Sequence, residues 1–137
     1  MANGLYIKGI EGIMGADIDL VADTVKVTLV DTADYTVDLA AHDFINDVPA
    51  GARVATATLA SKTVTGGAFD AADVTFPTVT GDPSEALVIW KDTGNEMTSA
   101  LIYYIDTATG LAVTPNGGDI TLTWDNGTNK IFKFLNT

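Results

Sequence analysis

The chain has 137 residues, 47% of them hydrophobic, a length and composition that fit one folded domain spanning 1–137. Eighteen acidic residues against seven basic ones give a net charge of -11, which disfavours nucleic acid and anionic membrane surfaces as partners. There is no cysteine, which excludes disulfides, zinc–thiolate centres and thiol nucleophiles and fits folding in a reducing cytoplasm.

At the N-terminus, the segment MANGLYIKGIEGIMG lacks the charged leader and unbroken apolar run of a signal peptide. No stretch approaches the roughly 20 apolar residues of a membrane span. Residues 5–14 are expected to form a short helix in which Leu5, Ile10, Ile13 and Met14 share a stripe. Gly9 and Gly12 weaken that helix by about 1 kcal/mol each relative to Ala, and Gly15 is placed to end it. Residues 24–31 alternate, with Val25, Val27 and Leu29 on one side and Thr24, Lys26 and Thr28 on the other, the signature of a strand. After a turn at 31–35, residues 39–48 are predicted as a second short helix with Phe44, Ile45 and Val48 inward, broken by Pro49 and Gly51.

Residues 52–59 alternate again and 63–65 continue the pattern beyond a kink. Gly66 and Gly67 mark a turn, and residues 73–79 read as an edge or bulged strand because Pro77 cannot donate to a ladder. Residues 86–90 and 100–105 are short apolar runs joined by a polar segment containing Gly94 and Asn95, the pattern of a β-hairpin. Both faces of this hairpin are apolar: Leu87 and Ile89 on one, Ala86, Val88 and Trp90 on the other. Such strands are usually covered on both sides, so a short helix, a loop or another protein is expected over the second face. Residues 120–124 alternate, Asp125 to Gly127 predict a hairpin turn, and 131–135 form the last strand. The sum is a mainly β fold, an antiparallel β-sandwich or barrel with one or two short helices.

Chemistry-bearing residues are sparse. His42 is the only histidine, which leaves little for a triad or a multi-histidine metal site; beside Asp43 it reads as a surface or capping residue. Asp92-Thr93-Gly94 matches the aspartic-protease triplet, but such a site needs two carboxylates sharing a proton, and the neighbouring Lys91 cation opposes that sharing. Asp31, Asp92 and Asp106 each precede Thr and a small residue at a strand end, where an Asp side chain stabilises a turn. Asp17/Asp19, Asp31/Asp34, Asp70/Asp73 and Asp119/Asp125 lie close in sequence, yet none has EF-hand spacing. No Walker loop, dinucleotide fingerprint or nucleophile elbow appears, so neither a cofactor nor enzymatic activity is expected. Tyr103 and Tyr104 are adjacent and point to opposite faces of a strand. One of them should leave the core, so Trp90, Tyr103 and Tyr104 are the candidate interaction residues.

In order along the chain, NGLYIKGIEGIM, DTVKVTLVDTADYTVDLAAHDFINDVPAGARV, KTVTGGAFDAADVTF, EALVIWKDTG and LIYYIDTATGLAVTPNGGDITLTWDNGTNKIFKF resemble a family of small tailed-bacteriophage virion structural proteins. The resemblance covers nearly the whole chain. It implies a structural part of a virus particle and supplies no catalytic residues. A charge of -11 is poorly suited to a DNA-filled lumen, so the expected place is the outer head surface, as a capsid decoration (cement) protein made in the host cytoplasm. Its partners would be the major capsid protein or another virion protein and further copies of itself in a dimer or trimer. A tail or neck component (tube, adaptor or fibre-associated) and a host-surface carbohydrate-binding module are the alternatives.

Overall fold

The computed structural model describes residues 3–108 and 110–134. Along the chain run β1 (Gly4–Leu5), α1 (Ile7–Met14), β2 (Val25–Val30), β3 (Arg53–Thr58), β4 (Thr63–Thr65), β5 (Ala68–Asp70), β6 (Val74–Phe76), β7 (Ala86–Lys91), β8 (Leu101–Ile105), β9 (Ile120–Leu122) and β10 (Phe132–Lys133). Two single 3-10 turns, Ile45–Asp47 and Ala50–Ala52, precede β3. The fold is mainly β and sandwich-like; its sheets are antiparallel and do not close into a barrel.

A five-stranded sheet in the order β1-β8-β7-β2-β3 is the centre of the molecule. The β7–β8 hairpin forms as its two apolar runs and polar turn predict, pairing Leu87 with Ile105 and Ile89 with Tyr103. The register then shifts, so that Trp90 faces Leu101 and Ile102 is the extra residue of a β-bulge. The bulge lets Ile102 join the core on the side of Ile89 while Leu101 stays with Trp90 on the other.

Both faces of this sheet are covered by the chain itself. On one face Val25, Val27, Leu29, Leu87 and Ile89 pack against Phe69, Phe76, Trp124 and Phe132, carried by or next to the smaller sheets β10-β5-β4 and β6-β9. On the other, Val30, Ala86, Val88, Trp90, Leu101 and Tyr104 pack against Tyr6, Tyr35, Ile45, Val48 and Ala52. The second cover is therefore the irregular segment between β2 and β3, not another protein.

The helix expected over 39–48 is replaced there by turns and by the 3-10 turn Ile45–Asp47. Aspartate side chains take the backbone donors that a helix would use. Asp38 Oδ1 accepts from the amides of Ala40 and Ala41, and Asp47 Oδ2 accepts from Asp43 at 2.7 Å. Ile45 and Val48 still point inward, while Phe44 is half-buried and bridges to Ala100. Arg53 fixes this cover, donating from Nε to the Val48 carbonyl and from Nη2 to the Ile45 carbonyl.

Gly66 and Gly67, both at positive φ, close the β4–β5 hairpin, a geometry that glycine adopts without steric cost. The turn at Asp125 also forms, with Oδ1 accepting from the Gly127 amide. It does not make a hairpin: β9 pairs with β6 and β10 with β5. Trp124 is tied to the earlier chain instead, its amide donating to Asp73 Oδ1 and its Nε1 to the Ala72 carbonyl. The expected end of the last strand, Leu135, lies outside the described residues.

Candidate interaction surface

Of the three aromatic residues singled out in the sequence, β7 and β8 place two in the interior. Trp90 is 8% exposed, and its Nε1 donates to Thr28 Oγ1 at 2.9 Å, with the Lys26 ammonium 5.8 Å from its ring. Tyr104 is 3% exposed; burial, reinforced by the Asp106 carboxylate, pushes its hydroxyl pKa up to about 12. Tyr103 alone is half-buried, its ring centroid 5.0 Å from that of Phe132, and burial raises its pKa as well. The apolar second face of the hairpin is thus not left open, because Tyr35, Ile45 and Val48 already occupy it.

Tyr103 lines a cleft of about 860 Å³ between the central sheet and the β9–β10 segment, with Leu87, Ile105, Leu122 and Trp124 among its walls. A second, shallower hollow of about 490 Å³ is bounded by Tyr35, Glu85, Tyr104 and Asp106.

The candidate chemical groups are engaged in structural bonds. His42 Nδ1 accepts from the Asp38 amide at 3.1 Å and lies 3.0 Å from the Tyr35 hydroxyl, so it caps a turn. Asp92 forms a 2.8 Å ion pair with Lys26 and accepts from the Gly94 amide. The Lys26 hydrogen bond, with that amide, holds the Asp92 carboxyl below its usual range, the opposite of what proton sharing requires. Lys91, the cation expected to act on Asp92, pairs with Asp23 at 3.1 Å.

The turn aspartates behave as backbone acceptors. Asp31 bonds the Ala33 amide, Asp19 those of Val21 and Ala22, and Asp119 that of Thr78. One grouping crosses the chain: carboxylate oxygens of Asp31, Asp34 and Asp82 lie within 4.8 Å of one another. They are the described residues that could hold a cation, and they offer about half the six to eight oxygens that calcium takes. The Asp31/Asp34 pair was visible in sequence; Asp82 comes from a distant loop.

The surface missed in sequence lies on α1. The helix forms over Ile7–Met14 and ends at Gly15 as expected, but Leu5, expected on its stripe, lies in β1 instead. Gly9 and Gly12 are its buried residues, whereas Ile7 is 47% and Met14 81% exposed. A Cβ on Gly9 would sit 2.7 Å from Ile102 Cα, so only glycine lets the helix lie this close to the bulged strand. The signal was present in the two glycines three positions apart, which make one helix face smooth. The chain matches no model of a known protein family, and the curated proteins likewise give no match.

Proposed function

We propose that this protein is a structural component of a tailed-bacteriophage virion, a decoration protein that binds the outside of the head and stabilises joints between major capsid subunits. The chain-long sequence resemblance carries the reading. Physical chemistry supports the placement: a body of charge -11 is repelled by packaged DNA and suits the outer surface. The two-faced core, with its candidate catalytic groups tied into turns and ion pairs, suits a scaffold. Many weak contacts repeated over a shell add through multivalency, and a dimer or trimer on a symmetry axis would multiply them.

A tail component is the second reading, favoured by the open side of β4. That strand ends its sheet, its three residues are exposed, and Val64 is 54% exposed. Such an edge can pair with another strand in a ring. Quantitative mass spectrometry of purified virions and of tailless heads separates the two. Copies near an integer ratio to the shell subunit, retained on tailless heads, are expected. Copies found only with tails would favour the second reading, and absence from virions would overturn both.

A further inference from the structure

Ile7, Ile10 and Met14 are spaced i, i+3 and i+7 along α1, which places them within an arc of about 60° on the helix. Gly9 and Gly12 lie on the opposite side, against Ile102 and Ile18. Helices normally bury the branched face and expose the small or polar one. Here the glycines are seated, while Ile7 and Met14 are exposed and Ile10 is half-buried. Ile13, on the flank, packs against the first core. In the segment that follows, Ile18 and Leu20 are buried, but Val21 is 50% exposed. Ile7, Met14 and Val21 thus make up half of the six exposed large apolar residues among the described residues.

The charge around this stripe is negative. Glu11 is exposed on the helix beside it, and Asp17 and Asp19 are exposed in the chain that leaves it. The local cations are already committed: Lys8 sits 5.1 Å from the centroid of the Phe44 ring, and Lys91 pairs with Asp23 and bonds the Asp17 carbonyl. A second copy seated on this same stripe would set Glu11, Asp17 and Asp19 against their own counterparts, which like-charge repulsion opposes.

We propose that the outward face of α1 docks into an apolar hollow on a different protein whose rim carries lysine or arginine. Resting on the virion reading above, that protein is the shell subunit. Met14, unbranched and adaptable, fills the hollow, while Glu11, Asp17 and Asp19 meet the basic rim.

The test uses heads assembled without this protein and the purified full chain, wild type, Met14→Glu and Val64→Glu, each first checked for unchanged urea unfolding. Wild-type binding is expected to weaken as salt rises, because the rim contacts are screened. Met14→Glu should bind about tenfold or more weakly, and Val64→Glu as wild type. Ile7→Glu is a second probe of the stripe and should weaken binding in the same way. Equal binding by wild type and both helix variants overturns the α1 surface and leaves the virion reading standing. A wild-type protein that does not bind heads overturns the head reading and this docking with it. A wild-type dimer in sedimentation that Met14→Glu dissolves would make a second copy the occupant, and would overturn the choice of partner.

Discussion

Tyr35 links two other polar side chains beneath the segment that covers the central sheet. Its hydroxyl lies 2.9 Å from that of Tyr6 and 3.0 Å from His42 Nδ1. A backbone amide can only donate, so the Asp38 N–H that reaches Nδ1 assigns this nitrogen as an acceptor, with the ring proton on Nε2. Tyr35 then donates to His42 and accepts from Tyr6, which is fully buried. Removing one partner of a buried pair costs more than removing both, because the remaining hydroxyl is stranded without water. Tyr35→Phe should therefore lower stability by about 1–3 kcal/mol. The double variant Tyr6→Phe/Tyr35→Phe should be more stable than Tyr35→Phe alone. Urea unfolding of the two singles and the double measures this; a double variant less stable than Tyr35→Phe would refute the shared bond. The sequence could identify His42 as a turn-capping residue from its polar neighbours. It could not reveal Tyr6 as the far end of the network, because the two tyrosines meet only when β1 pairs with β8.

At the scale of elements, what could be read in the sequence depended on the source of the signal. Period-2 alternation located β2, two apolar runs around a polar Gly-Asn segment located the β7–β8 hairpin, and its two apolar faces announced two covers, because strand side chains point alternately to either side whatever lies above them. Pairing between distant strands had no local signal, so β9 with β6 and β10 with β5 were not foreseen from the turn at Asp125. The helix over 39–48 failed because Asp38 and Asp47 bind backbone amides more locally than a helix would. The facing of α1 was left open by the sequence, because apolar periodicity gives the stripe but not which side meets the protein. Gly9 makes the difference measurable. Intrinsic propensity says that Ala there should strengthen the helix by about 1 kcal/mol. Contact says the reverse, since the new methyl would meet Ile102 Cα and the carbonyl oxygens of Leu101 and Ile102 at 2.7–2.9 Å, all backbone atoms. Such overpacking costs about 1–3 kcal/mol and should win. Gly9→Ala is expected to lower Tm, while Gly51→Ala, whose methyl would meet no atom within 4 Å, should be neutral or stabilising by up to about 1 kcal/mol. A Gly9→Ala protein as stable as wild type would mean that α1 does not sit against the bulge.

For the whole molecule, the two covers predict how it responds to pH, and the two directions differ. Asp92 is held low by the Lys26 hydrogen bond, and Asp23 first by a backbone bond and then by Lys91. A depressed carboxyl stabilises the fold above its unfolded value of about 4, and the contribution is lost as pH falls through the folded value. Both pairs are near the surface, so salt screens them and the acid-side loss should be shallow. The alkaline side is set by burial. All four tyrosines are shifted upward, first by desolvation: Tyr35 and Tyr104 to about 12, Tyr103 less, and Tyr6 furthest. A tyrosine whose folded value is raised leaves stability untouched below its unfolded value of about 10. Above that the unfolded chain ionises and the folded one does not, so stability falls as pH climbs toward 12. Tyrosinate should therefore appear together with loss of the β circular-dichroism signal, in one cooperative step at lower pH in mildly denaturing urea. Independent titration of the tyrosines near pH 10 with the β signal intact would show that water reaches both layers, and that the segment between β2 and β3 does not seal the second face.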